Sequence, residues 1–371
     1  MVFERSASRI GLDIEQTLVA GVQIKGGKRS QVLTHAALQS LPDGLVAEGE
    51  VVDAAALAAE IKSFWKRAGF GSRRVSLGVA NQKIVVRTME FPVIDEKELR
   101  AAIEFQAQEA IPIPVEEAVL DYQVMSTYSD EDGSTKQRIL LVAAQRDMIN
   151  QFVEVARKAN LVVDGIDLQA FALARALSFT PDVIAGEETP APEATAMVNI
   201  GSGITNLVVV SGSTPQFTRV INVGSESMIE SLAENVKVDL EQAWRLAVVV
   251  GLRGDQGDEP LPDDVDDETA KAVRASLENS CETFADEIRR SVDYFHTQTQ
   301  SGQISRLIVS GDGSLTRNFT TYLSHALHLE VQLGDPLRKL ADNKSKLTEA
   351  ELSVLAPRLA IAVGLALEEE D

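Results

Sequence analysis

The sequence predicts an α/β protein of two similar lobes. Three observations carry this prediction. The stretch RIGLDIEQTLVAGVQI (9–24), followed by SQVLTHAAL (30–38), is echoed by AMVNIGSGITNLVVV (196–210), followed by TPQFTRVINV (214–223). Each copy reads as strand, polar turn, strand, short turn, strand, and two such meanders half a chain apart point to a duplicated architecture. Helical patterns follow each copy. Finally, 371 residues with 44% hydrophobic and 25% charged content suffice for more than one core.

Taken in order, Ile10, Leu12 and Ile14 form the first strand and Val19, Val22 and Ile24 the second, with Glu15-Gln16 in the turn. Asp53 caps a helix through Ala68, stopped by Gly69, with Leu57, Ile61 and Trp65 on one face. RRVSLGVANQKIVVRTMEF gives two strands, and Asp95 caps a helix that Pro112 ends. Residues 118–145 read as a hairpin with an acidic tip, 151–160 as a helix and LVVDGIDL as a strand. The Pro-, Glu- and Ala-rich residues 181–195 read as a linker before the second meander. That meander has Met197, Val198 and Ile200 in one strand, Leu207 to Val210 in the next, and Gly201-Ser202-Gly203 between them. Helices are expected over 225–234, 239–250 and 272–300. The acidic stretch 254–270 reads as a loop, and 306–336 as strand, glycine turn, helix, strand. A last helix ends in Glu368-Glu369-Glu370-Asp371.

Composition excludes several functions. A net charge of −21 repels phosphate backbones and anionic lipid, which argues against nucleic-acid binding. A single cysteine, Cys281, allows no intrachain disulfide and no cysteine-based zinc site. The start lacks an apolar segment of the signal-peptide kind, and no apolar run reaches bilayer length; residues 354–367 are interrupted by Pro357 and Arg358. The expectation is a cytoplasmic protein. His325 and His328, three apart on a helix, read as solvated surface histidines, and no local motif of elbow hydrolases, P-loop enzymes or dinucleotide enzymes occurs.

Two turns could hold an anion. The small-residue turn Gly201-Ser202-Gly203 can aim backbone amides at phosphate oxygens, and Gly311-Asp312-Gly313 can let a ribose or base approach the backbone. Each also reads as an ordinary tight turn. Ile111-Pro112-Ile113-Pro114 either anchors a loop to the core or lines a groove for a partner segment.

Together the repeated meander, the GSG turn and the strand-Gly-helix segment resemble the actin-like (ribonuclease H-like) ATPase superfamily, the fold of sugar kinases and Hsp70. EAIPIPVEEAVLDYQV (109–124), FTRVINVGSESMIESLA (217–233), DEIRRSVDYFHTQ (286–298) and APRLAIAVGLALE (356–368) sharpen this to a resemblance to the FtsA-like PilM family of type IV pilus assembly proteins. The resemblance implies subdomains 1A (1–85 and 161–185), 1C (86–160), 2A (186–224 and 301–371) and 2B (225–300). It implies a cytoplasmic adaptor at the inner membrane. Such an adaptor takes the short N-terminal cytoplasmic peptide of a PilN-like protein into a groove between 1A and 1C, and so joins the pilus platform and motor. By the same resemblance, Leu77, Val79, Ile84, Val86, Ile111, Pro112, Ile113, Pro114, Val115 and Leu120 are the groove candidates. ATP with magnesium would lie against Asp13, Glu15, Gln16, Thr17, Asn199, Gly201, Ser202, Gly203, Gly224, Gly311 and Gly313.

Several residues depart from that pattern. Glu15 replaces a glycine of the first turn and Ala20 a lysine; Asn199 replaces the acid of the second turn. Trp244 and Ala247 stand where the nucleoside-contacting Glu-x-x-Lys is usual, and Asp312 interrupts a triple glycine. Glu15 would repel phosphate, and Asn199 lacks the charge that attracts magnesium-bound water. The expectation is a weakened or lost nucleotide site on a retained fold, with catalytic and metal residues absent. The alternatives are an active ATPase or kinase of the same fold, an FtsA-like division protein, whose membrane-binding terminal helix the acidic C-terminus opposes, and a GspL-like secretion domain, which would need a transmembrane helix.

Overall fold

The computed structural model describes residues 8–27, 30–130, 133–178, 194–255, 260–298 and 303–367. Most of the expected linker and the acidic C-terminal residues lie outside these.

The first half contains β1 (Ser8–Ile14), β2 (Leu18–Lys25), β3 (Val32–Ser40), the short pair β4 (Val46–Ala47) and β5 (Glu50–Val51), α1 (Ala54–Ala68) and β6 (Arg74–Val79). It continues through β7 (Val85–Pro92), α2 (Glu96–Ala110), β8 (Ala118–Ser129), β9 (Thr135–Gln145), α3 (Arg146–Lys158), β10 (Val162–Leu168) and α4 (Gln169–Leu177). The second half contains β11 (Ala194–Ile200), β12 (Thr205–Ser211), β13 (Thr214–Ile221), α5 (Ser225–Val236), α6 (Leu240–Val249) and α7 (Asp267–Gln298). It ends with β14 (Ile304–Ser310), α8 (Phe319–Leu327), β15 (Glu330–Leu333), β16 (Asp342–Asn343), α9 (Glu349–Leu355) and α10 (Ala360–Ala366).

Strand order makes the duplication explicit. One sheet runs β10-β6-β1-β2-β3-β16 and the other β15-β14-β11-β12-β13. In each, an antiparallel three-strand meander is extended by two parallel strands from the first meander strand. The central strands are apolar on both faces because helices cover both sides: β12 is buried from Thr205 to Val210. A separate three-stranded sheet, β7-β9-β8, carries α2 on one face.

Helix ends follow local rules. Asp53 accepts from the N–H groups of Ala55 and Ala56 at α1, and Asp95 from those of Lys97 and Glu98 at α2. Gly69 closes α1 in the left-handed conformation. Leu57, Ala58, Ile61 and Phe64 are the buried residues of that helix, while Trp65 is half-buried against them. The long helix α7 starts earlier than the sequence pattern indicates, inside the acidic stretch. There Asp266 accepts from Thr269 N–H, and Asp267 and Glu268 sit at the favourable N-terminal end of the dipole.

The C-terminal residues, grouped with 2A on sequence, run back to the first sheet: β16 pairs with β3, and α10 packs on β1, β2 and α4. Close approach requires glycine here. A Cβ on Gly364 would collide with the Ala172 carbonyl, and one on Gly11 with the Ala362 carbonyl. One core cluster thus joins Val22 and Leu33 of the first sheet, Met197 and Val208 of the second, Leu173 of α4 and Val363 of α10.

Candidate functional site

The two meander turns meet face to face. Residues 15–17 follow β1, residues 201–203 follow β11, and side chains of the first turn bond to the second. The Ser202 N–H donates to Glu15 Oε2 at 2.6 Å, and the Thr17 N–H donates to Ser202 Oγ at 3.1 Å. Gln16 donates through Nε2 to Glu226, in the first turn of α5. This contact leaves no room for a side chain at either glycine of the second turn, and Gly224 after β13 is as tightly confined. A Cβ on Gly201 would lie 2.7 Å from Glu15 Oε2, one on Gly203 2.8 Å from Gln16 Cβ, and one on Gly224 2.6 Å from the Gly203 carbonyl carbon. The enclosed space beside Glu15, Gln16, Gln169 and Gly203 is a cavity of about 10 Å³, enough for one water.

The remaining expected residues of this site converge from both lobes. Gly311, at φ 86°, and Gly313 wrap against Ile200 at the end of β11. Asn199 is buried and accepts from Ser310 Oγ at 3.0 Å, which ties β11 to β14. Asp13 is buried at the end of β1 and accepts from Gln169 Nε2 at 2.7 Å; Gln169 Oε1 in turn accepts from Asn206 Nδ2 at 2.8 Å.

Charge in this region is largely internal. Burial, then repulsion from Asp312, pushes the Glu15 carboxyl from 4.5 up to about 7, against the stabilising bonds from Ser202 and the attraction of Arg358. Burial, then the charge of Glu15, holds Asp13 well above the usual carboxylate range. Burial also raises Asp312, opposed by its ion pair with Arg358. The Arg358 guanidinium stands 5.9 Å from the centre of the Trp244 ring, in cation–π range, so the sector where a nucleoside is expected holds Trp244, Arg358 and Asp312.

A second concavity opens beside the first. This groove, of about 450 Å³, is lined by Val79 to Gln82, Ile84 to Arg87 and Pro112 on one side and by Asn206 and Thr218 to Val220 on the other. Among the described strands, β7 pairs only with β9 and β13 only with β12, so each presents a free edge there. Of the ten expected groove residues, Val79, Ile84, Val86 and Pro112 line it. The others differ. Leu77 is buried within the first-sheet core, and Ile111, Ile113, Val115 and Leu120 pack in the core under α2. Pro114 is exposed and caps the short turn after α2. The reason is alternation: in Ile111-Pro112-Ile113-Pro114 the isoleucines face inward and the prolines outward.

Reading the sequence alone missed Arg358, Gln169, Asn206 and Glu226. Arg358 carries a readable signal, a lone cation inside the apolar run near the C-terminus, whose partner must be an acid brought in by the fold. Gln169 and Asn206 give none, since amides next to buried strands are common. His325 lies 2.7 Å from Asp255 at the surface.

The duplicated sheets, with two turns opposed across a cleft, define an actin-like fold. EutJ from Carboxydothermus hydrogenoformans, an ethanolamine utilization protein, superposes with a TM-score of 0.55 at 14% identity, covering 99% of this chain and 93% of that one. MreB5 of Spiroplasma citri bound to ADP does so at 0.52 and 12%, covering 97% and 95%. A structure described as a PilM-PilN type IV pilus biogenesis complex matches at 0.79 with 24% identity, over 97% of this chain and 98% of that one. The chain belongs to the PilM family: the model of type IV pilus assembly protein PilM matches residues 11–370. Among the described residues, no helix is long and apolar enough to cross a membrane.

Proposed function

We propose that this protein is a cytoplasmic adaptor of the type IV pilus platform. It holds the N-terminal cytoplasmic peptide of a PilN-like inner-membrane protein in the groove between β7 and β13, and so sits at the membrane through its partner and joins the other platform and motor components. The observation that carries the reading is the groove itself: two free strand edges flank apolar side chains from Val79, Ile84, Val86 and Val220. An extended segment can add to such an edge by main-chain hydrogen bonds while its alternate side chains meet a floor where these apolar residues alternate with Asn81, Gln82, Arg87, Thr218 and Arg219.

In the same reading the cleft does not take ATP. The Ser202 N–H, which a phosphate oxygen would need, is already given to Glu15, whose side chain occupies the phosphate position and adds negative charge there once it ionises above about pH 7. Gln16 fills the space in front of Gly203, and Asp312 holds Arg358 on the nucleoside side. These residues do not fit a nucleoside triphosphate, and the lobes are held together by the chain's own side chains instead.

Two calorimetric titrations test this. The synthetic N-terminal peptide of the PilN-like protein from the same organism is expected to bind in the micromolar range, and absence of binding would refute the adaptor reading. A fluorescent ATP analogue with magnesium is expected to show no saturation below millimolar. Micromolar, magnesium-dependent binding with turnover would establish the alternative, an ATPase of the same machinery.

A further inference from the structure

The acidic surplus of the chain is unevenly spread. Residues 181–371 hold 32 of the 56 acidic and 15 of the 35 basic residues, whereas residues 61–89 hold seven cations and no acid. The fold gathers most of these cations at one end of the first sheet. Lys62, Lys66 and Arg67 lie on the second half of α1. Trp65 Nε1 donates to the Ser72 carbonyl at 3.0 Å and ties the end of that helix to Arg73 and to Arg74, the first residue of β6. The Val162 N–H donates to the Arg73 carbonyl at 2.8 Å, which brings in the start of β10 and, before it, Arg157 and Lys158 in the last turn of α3. Asp164 accepts from Arg74 and Glu154 from Arg157, each at 2.7 Å, so these two acids are spent within the cluster. Lys62, Lys66, Arg67 and Arg73 are exposed, with no acidic or hydrogen-bonding partner among the described residues. The dipole of α1 favours cations at its C-terminal end and accounts for Lys66 and Arg67. It does not account for Lys62, more than a turn earlier, or for Arg73, beyond the helix. Val162, paired in register with Arg74, stands 51% exposed beside them.

We infer that this end of the first sheet docks on an anionic phospholipid bilayer. Each Lys or Arg brought close to such a surface strengthens binding about 5-fold. The cations stand on a helix end and a strand start, line neither the cleft cavity nor the groove, and frame an exposed valine. That surface suits a flat, fluid layer of charge better than a shaped peptide. The acidic second half of the chain opposes the contact only weakly, because charges more than about 10 Å from the lipid are screened. It also orients the molecule, with the cationic end toward the bilayer. The place of this contact in the cell rests on the adaptor reading; the contact itself does not. Arg74 and Val79 are the two ends of β6, about 17 Å apart at the usual strand rise, and Val79 lines the groove. About five extended residues of a bound partner cover that distance, so the peptide and the cations can meet one bilayer.

The test is co-sedimentation of the full chain, without partner peptide, with vesicles of phosphatidylcholine alone or mixed equally with phosphatidylglycerol. The expected result is binding to the mixed vesicles at low salt, none to the neutral ones, and release at about 0.5 M salt. Lys66→Gln, Arg67→Gln and Arg73→Gln together, confirmed folded by a melting curve, are expected to weaken binding on the order of 100-fold. If that variant does not fold, Lys62→Gln with Lys66→Gln serves, with a proportionately smaller loss. Arg253→Gln, Lys271→Gln and Arg290→Gln make the same change in net charge on the second half and are expected to leave binding nearly unchanged. No binding to mixed vesicles at low salt, equal binding to neutral vesicles, or equal weakening by the two triple variants overturns the inference. So does capture of poly-glutamate by a protein that leaves the vesicles unbound, which would assign the surface to an acidic protein partner. None of these outcomes alters the titration with the partner peptide, so the adaptor reading stands or falls separately.

Discussion

The cleft between the turns and the groove between the strand edges lie side by side, with Ala80 in the wall of both. In the cleft, the backbone donor and the small-residue turn are met by Glu15, Gln16 and Thr17, and the cavity beside Glu15, Gln16 and Gly203 holds about 10 Å³. In the groove, two strand edges have no partner among the described residues, across about 450 Å³. The same kind of scaffold is thus closed where the chain supplies its own hydrogen-bond partners and open where it does not. Residue choice at a few positions, rather than the fold, decides which concavity is available to a ligand.

That comparison can be broken most sharply at the residues the groove does not contain. Ile113→Asp buries a carboxylate in the core under α2, where Ile113 is 6% exposed. It is expected to cost more than about 4 kcal/mol in chemical denaturation. Ile84→Asp, on the half-buried groove wall, is expected to cost only about 1 kcal/mol but to lower peptide affinity at least ~10-fold by titration calorimetry. A reversal of the two would place the binding surface at the Ile-Pro corner instead.

On the cleft side, Gly224→Ala drives a methyl group into the backbone of Ser202 and Gly203 and pushes the turns apart. The expected loss is about 1–3 kcal/mol by urea denaturation, with peptide affinity unchanged. An equal loss of affinity would show that the two concavities are mechanically one.

A subtler expectation concerns pH. The folded protein retains the Glu15 proton up to about pH 7, whereas the unfolded side chain releases it near 4.5. The folded state therefore binds more protons between these values. The stability from Glu15 is complete below about 4.5 and is lost as pH rises through 7. Asp13 and Asp312 shift in the same direction. Glu15→Gln, which can still accept from Ser202, is expected to flatten this decline without abolishing it, and to be more stable than wild type above pH 7. Thermal melts at pH 5 and pH 8 measure the difference, and an unaltered slope would show that Glu15 ionises freely.

The smallest expected effect lies outside both concavities. Asp53→Ala removes the acceptor for Ala55 and Ala56 at α1 and is expected to cost about 1 kcal/mol in denaturation while leaving peptide and nucleotide titrations unchanged. It calibrates the others.

Much of this architecture was legible in the sequence because it is written locally. The two meanders, the caps at Asp53 and Asp95 and the turn glycines all depend on neighbours within a few residues. The opposition of the two turns was legible too, through the resemblance, and with it the conflict that Glu15 introduces. The contacts that answer that conflict were not. Glu15 meets Ser202 across 187 positions and Arg358 meets Asp312 across 46, and no local pattern announces such pairs. The groove was half legible. Alternation along Ile111-Pro112-Ile113-Pro114 already divides core from surface, but a resemblance that marks the whole block does not say which side faces a partner.

The core shared by α4 and α10 has a practical consequence. Seven of the nine residues of α4 are buried, between one lobe's sheet and the other's, and α10 is buried along its whole length. Either half of the chain, expressed by itself, would leave one face of its helix uncovered, α4 lacking β11 to β13 and α10 lacking β1 and β2. The protein should melt in a single calorimetric step, and severing the chain between Leu177 and Ala194 should yield fragments that recover structure only when mixed.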